Sequence, residues 1–143
     1  IHSFVRSPMQ DVDAIGRGVF SNSIDVANAR IRFENGCVAN VTSSRISFKT
    51  ERTIRVFQPD SYLSADMHNK SFKAYTRRHD GPVTGPQDVQ THQQSFVASD
   101  ALLEQTKAFL TSMAGGPPPV VSGQVALEAL RTATVIGDIM GES

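Results

Sequence analysis

Residues 23–48 constrain the fold most, because apolar and polar residues alternate there on both sides of an Asn35-Gly36 pair. Every second residue is small or apolar, namely Ala27, Ala29, Ile31 and Phe33. The residues between them are polar, namely Asn28, Arg30 and Arg32. Asn-Gly between such segments is the strongest short-range signal for a β-hairpin, and a type I′ turn requires positive φ at both residues. The pattern predicts strands at 23–34 and 37–48, with one face on a core and one polar face.

The rest of the chain divides into further strands followed by two helices. Alternating segments predict strands at 12–20, 52–58, 62–67 and 72–77, a loop at 81–88 and a polar edge strand at 89–97. Ser99 or Asp100 can cap a helix that ends at Gly115-Gly116, and Ser122 can cap a last helix around 125–140. This segregation predicts an α+β fold: a predominantly antiparallel open sheet of about six strands, with two C-terminal helices packed on one face.

Composition excludes several classes of function. The 143 residues suit one domain, and 14 basic and 14 acidic residues give a net charge of zero. A neutral chain without a long apolar segment predicts neither a nucleic-acid partner nor a membrane partner. The single cysteine, Cys37, excludes an internal disulfide and fits a reducing, cytoplasmic location. We expect it to be an inert thiol in the core.

The order of elements carries a family resemblance. The hairpin, its second strand ending in Ser44-Arg45, and the Arg-rich strand that follows resemble one domain of the glucose-fructose oxidoreductase / inositol dehydrogenase / rhizopine-catabolism (Gfo/Idh/MocA) family. The resemblance implies that residues 1–143 are the C-terminal substrate-binding and oligomerisation domain of a bacterial NAD(P)-dependent oxidoreductase. Residues 1–7 would be the remnant of a preceding helix, and the N-terminal dinucleotide-binding domain would be absent from this chain.

The resemblance also implies a substrate and a cofactor for the complete enzyme. Family members act on a sugar, a sugar nucleotide or a cyclitol alcohol, with NAD or NADP as cofactor. The alternative is a non-catalytic protein-interaction or dimerisation module, whose sheet makes only protein contacts. A cofactor assay on the complete protein separates the two interpretations.

Residues for chemistry are missing from the sequence itself. No G-x-G-x-x-G turn is present to receive a pyrophosphate. The family's catalytic lysine and histidine would precede this chain, and His2 becomes a candidate only if the helix register differs. The other histidines, His68, His79 and His92, lack the spacing of a metal site. We predict no catalytic, cofactor-binding or metal-binding residue here, so the chain alone is expected to be inactive and to bind no NAD or NADP.

Two sets of polar residues are candidates for binding. Guanidinium and ammonium groups at Arg45, Lys49 and Arg52 would hold a phosphate or carboxylate of a small-molecule substrate. The alternative is that they form cross-strand ion pairs and dimer contacts. The open face with Asn28, Arg30 and Arg32 predicts a homo-oligomer, because polar sheet faces are ordinary subunit interfaces.

Overall fold

The computed structural model describes residues 1–97 and 99–141. They form three α-helices and seven strands: α1 (His2–Val5), β1 (Met9–Arg17), β2 (Val26–Phe33), β3 (Val38–Ser44), β4 (Thr53–Phe57), β5 (Ser61–Asp66), β6 (Ser71–Arg77), β7 (Val89–Ser95), α2 (Ala101–Met113) and α3 (Gly123–Met140). The α+β class is confirmed. The strands form two antiparallel sheets, β1-β2-β3 and β4-β5-β6-β7, instead of one open sheet of about six strands.

The first sheet ends beside Arg45, which makes the last backbone contact between β3 and the segment before β2. The Arg45 amide donates to the Asp25 carbonyl at 3.1 Å, and its side chain pairs with the Asp25 carboxylate. β3 ends at Ser44 instead of continuing to Phe48, whose side chain is fully exposed. The chain divides here into two compact units: a first unit of residues 1–47 with the segment from 106 onward, and a second unit of residues 48–105.

The first unit has its core on one face of β2. Ala29, Ile31 and Phe33 are buried there, as the alternation predicts, and α3 packs against β1. His2 joins α1 to α3, because its Nε2 lies 2.6 Å from Thr132 Oγ1 and its ring packs edge-on against Phe33. The structure therefore gives His2 packing and hydrogen-bonding contacts within this core.

Close packing of α3 on β1 depends on Gly16. A Cβ atom at this buried position would lie 2.8 Å from side-chain atoms of Ile24 and Met140. We expect Gly16→Ala to lower the free energy of unfolding by about 1–3 kcal/mol, measured by urea denaturation, because the added methyl overpacks the core. Gly123→Ala is the matched control, since a Cβ there meets nothing within 4 Å. Equal effects of the two substitutions would contradict this packing.

The hairpin between β2 and β3 has a different turn from the predicted one. Gly36 has a positive φ of 82°, whereas the φ of Asn35 is not positive. Arg6 and Lys70 are the only described non-glycine residues with positive φ. Paired hydrogen bonds of 2.9 Å, from Gly36 N to Phe33 O and from Phe33 N to Cys37 O, close a three-residue loop. This is a type I turn followed by a glycine bulge, so the type I′ prediction is wrong.

The position of Cys37 also corrects an expectation. Cys37 is exposed, because it belongs to the end of the turn and β3 begins only at Val38. The expectation that Cys37 is a thiol in the core is wrong. The sequence pattern placed the start of the strand at residue 37, one residue before β3 begins.

The second unit is a four-stranded antiparallel meander. β7 is an edge strand with six of its seven residues exposed, so the predicted polar edge strand is confirmed. Asp88 stabilises the loop before it, accepting hydrogen bonds from the Thr84 amide and hydroxyl, the Gly85 amide and His79. These donors, the Thr84 amide foremost, hold the pKa of Asp88 well below its usual range.

Both predicted helix caps are present. Asp100 Oδ1 accepts from the amides of Leu102 and Leu103, and Ser122 Oγ accepts from the Val125 amide. Within residues 1–97 and 99–141, no helix combines the length and apolar character needed to cross a membrane.

Candidate functional site

The most highly bonded side chain of the first unit is Asp25, which is 4% exposed. Its Oδ2 accepts from the amides of Val19, Phe20 and Ser21 at 2.8–3.0 Å. Its Oδ1 accepts from the Ser21 hydroxyl at 2.9 Å and from Arg45 Nε at 2.6 Å. The Val19 and Phe20 amides, followed by Arg45, hold the pKa of Asp25 well below its usual range. Asp25 thus closes the connection between β1 and β2.

Arg45, a predicted substrate-binding residue, is part of this cluster. Its Nη2 donates to the hydroxyls of Ser21 and Ser23 at 2.7 and 2.5 Å, in addition to the bond from Nε to Asp25. Its third nitrogen, Nη1, takes part in none of these bonds, and the side chain is about half exposed. Arg45 also lines a cavity of about 200 Å³ together with Ile24, Asp25, Ala27, Ser43 and Met140. The guanidinium is therefore held beside this cavity by one carboxylate and two hydroxyls.

Lys49 and Arg52, the other two candidates, belong to the second unit. Lys49 Nζ lies 2.5 Å from a Glu51 carboxylate oxygen, and this ion pair raises the pKa of Lys49 and lowers that of Glu51. Arg52 is exposed directly before β4, and its carbonyl accepts from the Met67 amide at 2.8 Å. This ion pair joins residues two positions apart and is not a cross-strand pair, and a substrate role for Lys49 and Arg52 stays a prediction.

The predicted interface residues share one exposed face of β2. Arg32 pairs with Asp11 at 2.8 Å and with Asp13 at 3.3 Å, and Asn28 Oδ1 accepts from the Thr42 hydroxyl at 2.9 Å. Arg30 lies between these two pairs and takes part in neither. This face contains an open depression with a volume of about 320 Å³. The depression is lined chiefly by Asp13, Ile15, Asn28, Arg30, Asn40 and Thr42.

Sequence reasoning missed a row of aromatic rings in the second unit. Cross-strand pairing places Phe57 beside Tyr62 and Tyr62 beside Tyr75. The ring centroids are 4.9 and 5.6 Å apart, and the ring planes are within 10° of parallel. Alternation along β4 puts Thr53, Arg55 and Phe57 on one face, but the register that joins three strands cannot be read from it.

Comparison with known proteins identifies a relative. The chain is 31% identical over 123 residues to UDP-N-acetylglucosamine 3-dehydrogenase from Acidithiobacillus ferrooxidans, a match that covers 86% of the chain. The chain is homologous to this dehydrogenase. The relationship to an oxidoreductase expected from the sequence is thereby confirmed. The chain spans 39% of that enzyme's length, and no protein-family model matches it.

Solved structures agree with this homology. Two structures of the same enzyme, GnnA, superpose with a TM-score of 0.83, at 28% and 24% identity, over 94% and 97% of this chain. The chain covers 43% and 42% of them. Biliverdin reductase from Synechocystis sp. PCC 6803, solved in complex with biliverdin and NADP+, shares the fold at 19% identity and a TM-score of 0.68.

Proposed function

We propose that the chain is the C-terminal, substrate-binding and oligomerisation domain of a Gfo/Idh/MocA-family oxidoreductase that acts on a sugar nucleotide with NAD or NADP. The observation that supports this most strongly is the homology to UDP-N-acetylglucosamine 3-dehydrogenase over 86% of the chain. Because the chain spans about two fifths of that relative, the proposal assigns the remaining functions to polypeptide outside these residues.

Binding of the nicotinamide cofactor is one of those functions. Every strand pair in the described residues is antiparallel, whereas a dinucleotide-binding fold requires parallel strands joined by a helix. The residues present therefore do not fit the cofactor, which would be held by polypeptide outside them. In this proposal the chain binds and orients the substrate.

The test is an assay of the full-length protein with UDP-N-acetylglucosamine and either NAD+ or NADP+. The expected result is reduction of the nicotinamide, followed by its near-ultraviolet absorbance. A folded protein that reduces neither cofactor with any of a panel of sugar nucleotides, sugars and cyclitols would overturn the proposal. Self-association in the absence of such activity would favour the protein-interaction module.

We propose that Arg45, Lys49 and Arg52 contribute to substrate binding. Arg45→Ala in the full-length enzyme is expected to raise KM about tenfold with kcat nearly unchanged, because a charge-assisted contact to the substrate is lost in ground and transition states alike. Since Arg45 also bonds Asp25, thermal unfolding is measured beside the kinetics. Arg78→Ala, which removes an exposed arginine at the end of β6, is the control. Unchanged KM and kcat in Arg45→Ala would contradict the role.

We propose that the face carrying Asn28, Arg30 and Arg32 is a homo-oligomer interface. A two-fold contact is self-complementary, and this face has acidic residues on β1 beside basic residues on β2. Light scattering at tens of micromolar is expected to give a dimer or larger species, and Arg30→Glu is expected to shift it to monomer through like-charge repulsion. Arg78→Glu, with the same charge change elsewhere, is the control. A monomeric wild-type protein would count against this interface.

A further inference from the structure

The row of rings in the second unit ends in an open aromatic surface. Phe57, Tyr62 and Tyr75 stack side by side on β4, β5 and β6. β4 is an edge strand, so Phe57 is the terminal ring of the row, and it is 75% exposed. An exposed ring supported from behind by two further rings is rigid and offers a platform for a planar group.

A basic row lies next to the rings on the same face. Arg55, Ser64 and Lys73 are in register across β4, β5 and β6, two residues along each strand from the rings and therefore about 7 Å away. Neither cation forms an ion pair with a carboxylate of the described residues, although Arg55 contributes, after Lys49, to lowering the pKa of Glu51. Asp66 shares the face, but its oxygens accept from His68 and Asn69 in the turn after β5. The two positive charges are therefore not neutralised by an ion pair within the unit.

We propose that this face binds the nucleoside diphosphate portion of a sugar nucleotide, with the base on Phe57 and the phosphates at Arg55 and Lys73. The inference rests on the proposed function and names the part of the substrate that this site would hold. Stacking on an aromatic ring suits any planar base, and a guanidinium binds phosphate oxygens in a bidentate manner. Arg55 is the nearer cation, about 7 Å from Phe57 along β4, and Lys73 lies two strands further across the sheet, about 10 Å from Arg55.

Charge favours a small anion over other occupants of this face. A second copy of the chain docking through the same face would bury Arg55 and Lys73, which have no ion-pair partner in the unit, at a cost in desolvation. A nucleic acid is disfavoured because the chain has a net charge of zero. A diphosphate neutralises both cations without either cost.

The experiment is calorimetric titration of UDP into the protein and its variants. Phe57→Ala, Arg55→Ala and Lys73→Ala are each expected to weaken UDP binding about tenfold, because each removes a stacking surface or a phosphate contact. Phe57→Tyr retains a ring and is expected to bind as the wild type does. Phe48→Ala and Arg78→Ala are matched controls, since both residues are exposed and lie outside the two rows. Circular dichroism verifies that every variant is folded.

The outcomes separate this site from the proposed function. Unchanged UDP affinity in the three variants, equal losses in the controls, or no UDP binding at millimolar concentration would each overturn the site. If the full-length protein still reduces a nicotinamide cofactor, the oxidoreductase function stands without this site. If UDP binds as expected but no cofactor is reduced with any substrate, the site stands and the oxidoreductase function fails.

Discussion

Phe33→Ala is expected to lower the free energy of unfolding by about 3–5 kcal/mol. Phe33 is 1% exposed at the end of β2, and the edge of its ring packs against the His2 ring at 6.1 Å. Truncation removes buried apolar surface and leaves a cavity between the sheet and α1. Among the described residues of the first unit, Ile31 is the other large side chain that is fully buried, so Phe33 supplies much of the buried apolar surface there.

Urea denaturation followed by circular dichroism measures this effect, and Phe48→Ala is the matched control. Phe48 is fully exposed, so the same chemical change there is expected to alter the free energy of unfolding by less than about 0.5 kcal/mol. Hydrogen exchange should place the faster opening of Phe33→Ala at the amides of β1, β2 and β3. Equal destabilisation by the two substitutions would contradict the assignment of Phe33 to the core.

Local pattern was sufficient for much of the fold. Alternation identified the buried face of β2, and the caps at Asp100 and Ser122 were readable because a cap depends on residues two or three positions away. The polar content of residues 89–95 likewise identified an edge strand. Each of these features is determined within a few residues, so its signal lies in the sequence next to it.

Features that depend on distant residues were missed. Asp25 and Arg45 are twenty residues apart, and no local pattern predicts their ion pair or the division of the strands into two sheets. The turn at Gly36 was mistaken because Asn-Gly fits both a two-residue and a three-residue loop, and the pairing of Phe33 with Cys37 sets the three-residue one. The stacked rings depend on strand register, whereas the common face of Asn28, Arg30 and Arg32 could be predicted because they lie on a single strand.

Asp25→Asn is expected to lower the midpoint of thermal unfolding by about 10 °C near neutral pH. The Asp25 carboxylate uses Oδ2 for three backbone amides and Oδ1 for Ser21 and Arg45. An asparagine amide turns an NH2 group either toward the three amides or toward Arg45. In both orientations donors face donors in a buried site, so hydrogen bonds are lost and not replaced.

The pH dependence of stability gives a second test of the Asp25 carboxylate. Because the native pKa of Asp25 lies below the unfolded one, its contribution to stability is complete above a pH of about 4 and is lost as the pH falls toward the native pKa. The stability difference between the wild type and Asp25→Asn should therefore shrink as the solution is acidified below that pH. The native pKa of Asp88 is lowered as well, so the stability of the Asp25→Asn variant also falls in acid. Asp13→Asn, which removes an exposed carboxylate, should shift the midpoint by less than about 2 °C. A difference that stays constant down to strong acid would mean that the native pKa of Asp25 is not depressed, and the amide contacts to its carboxylate would then be wrong.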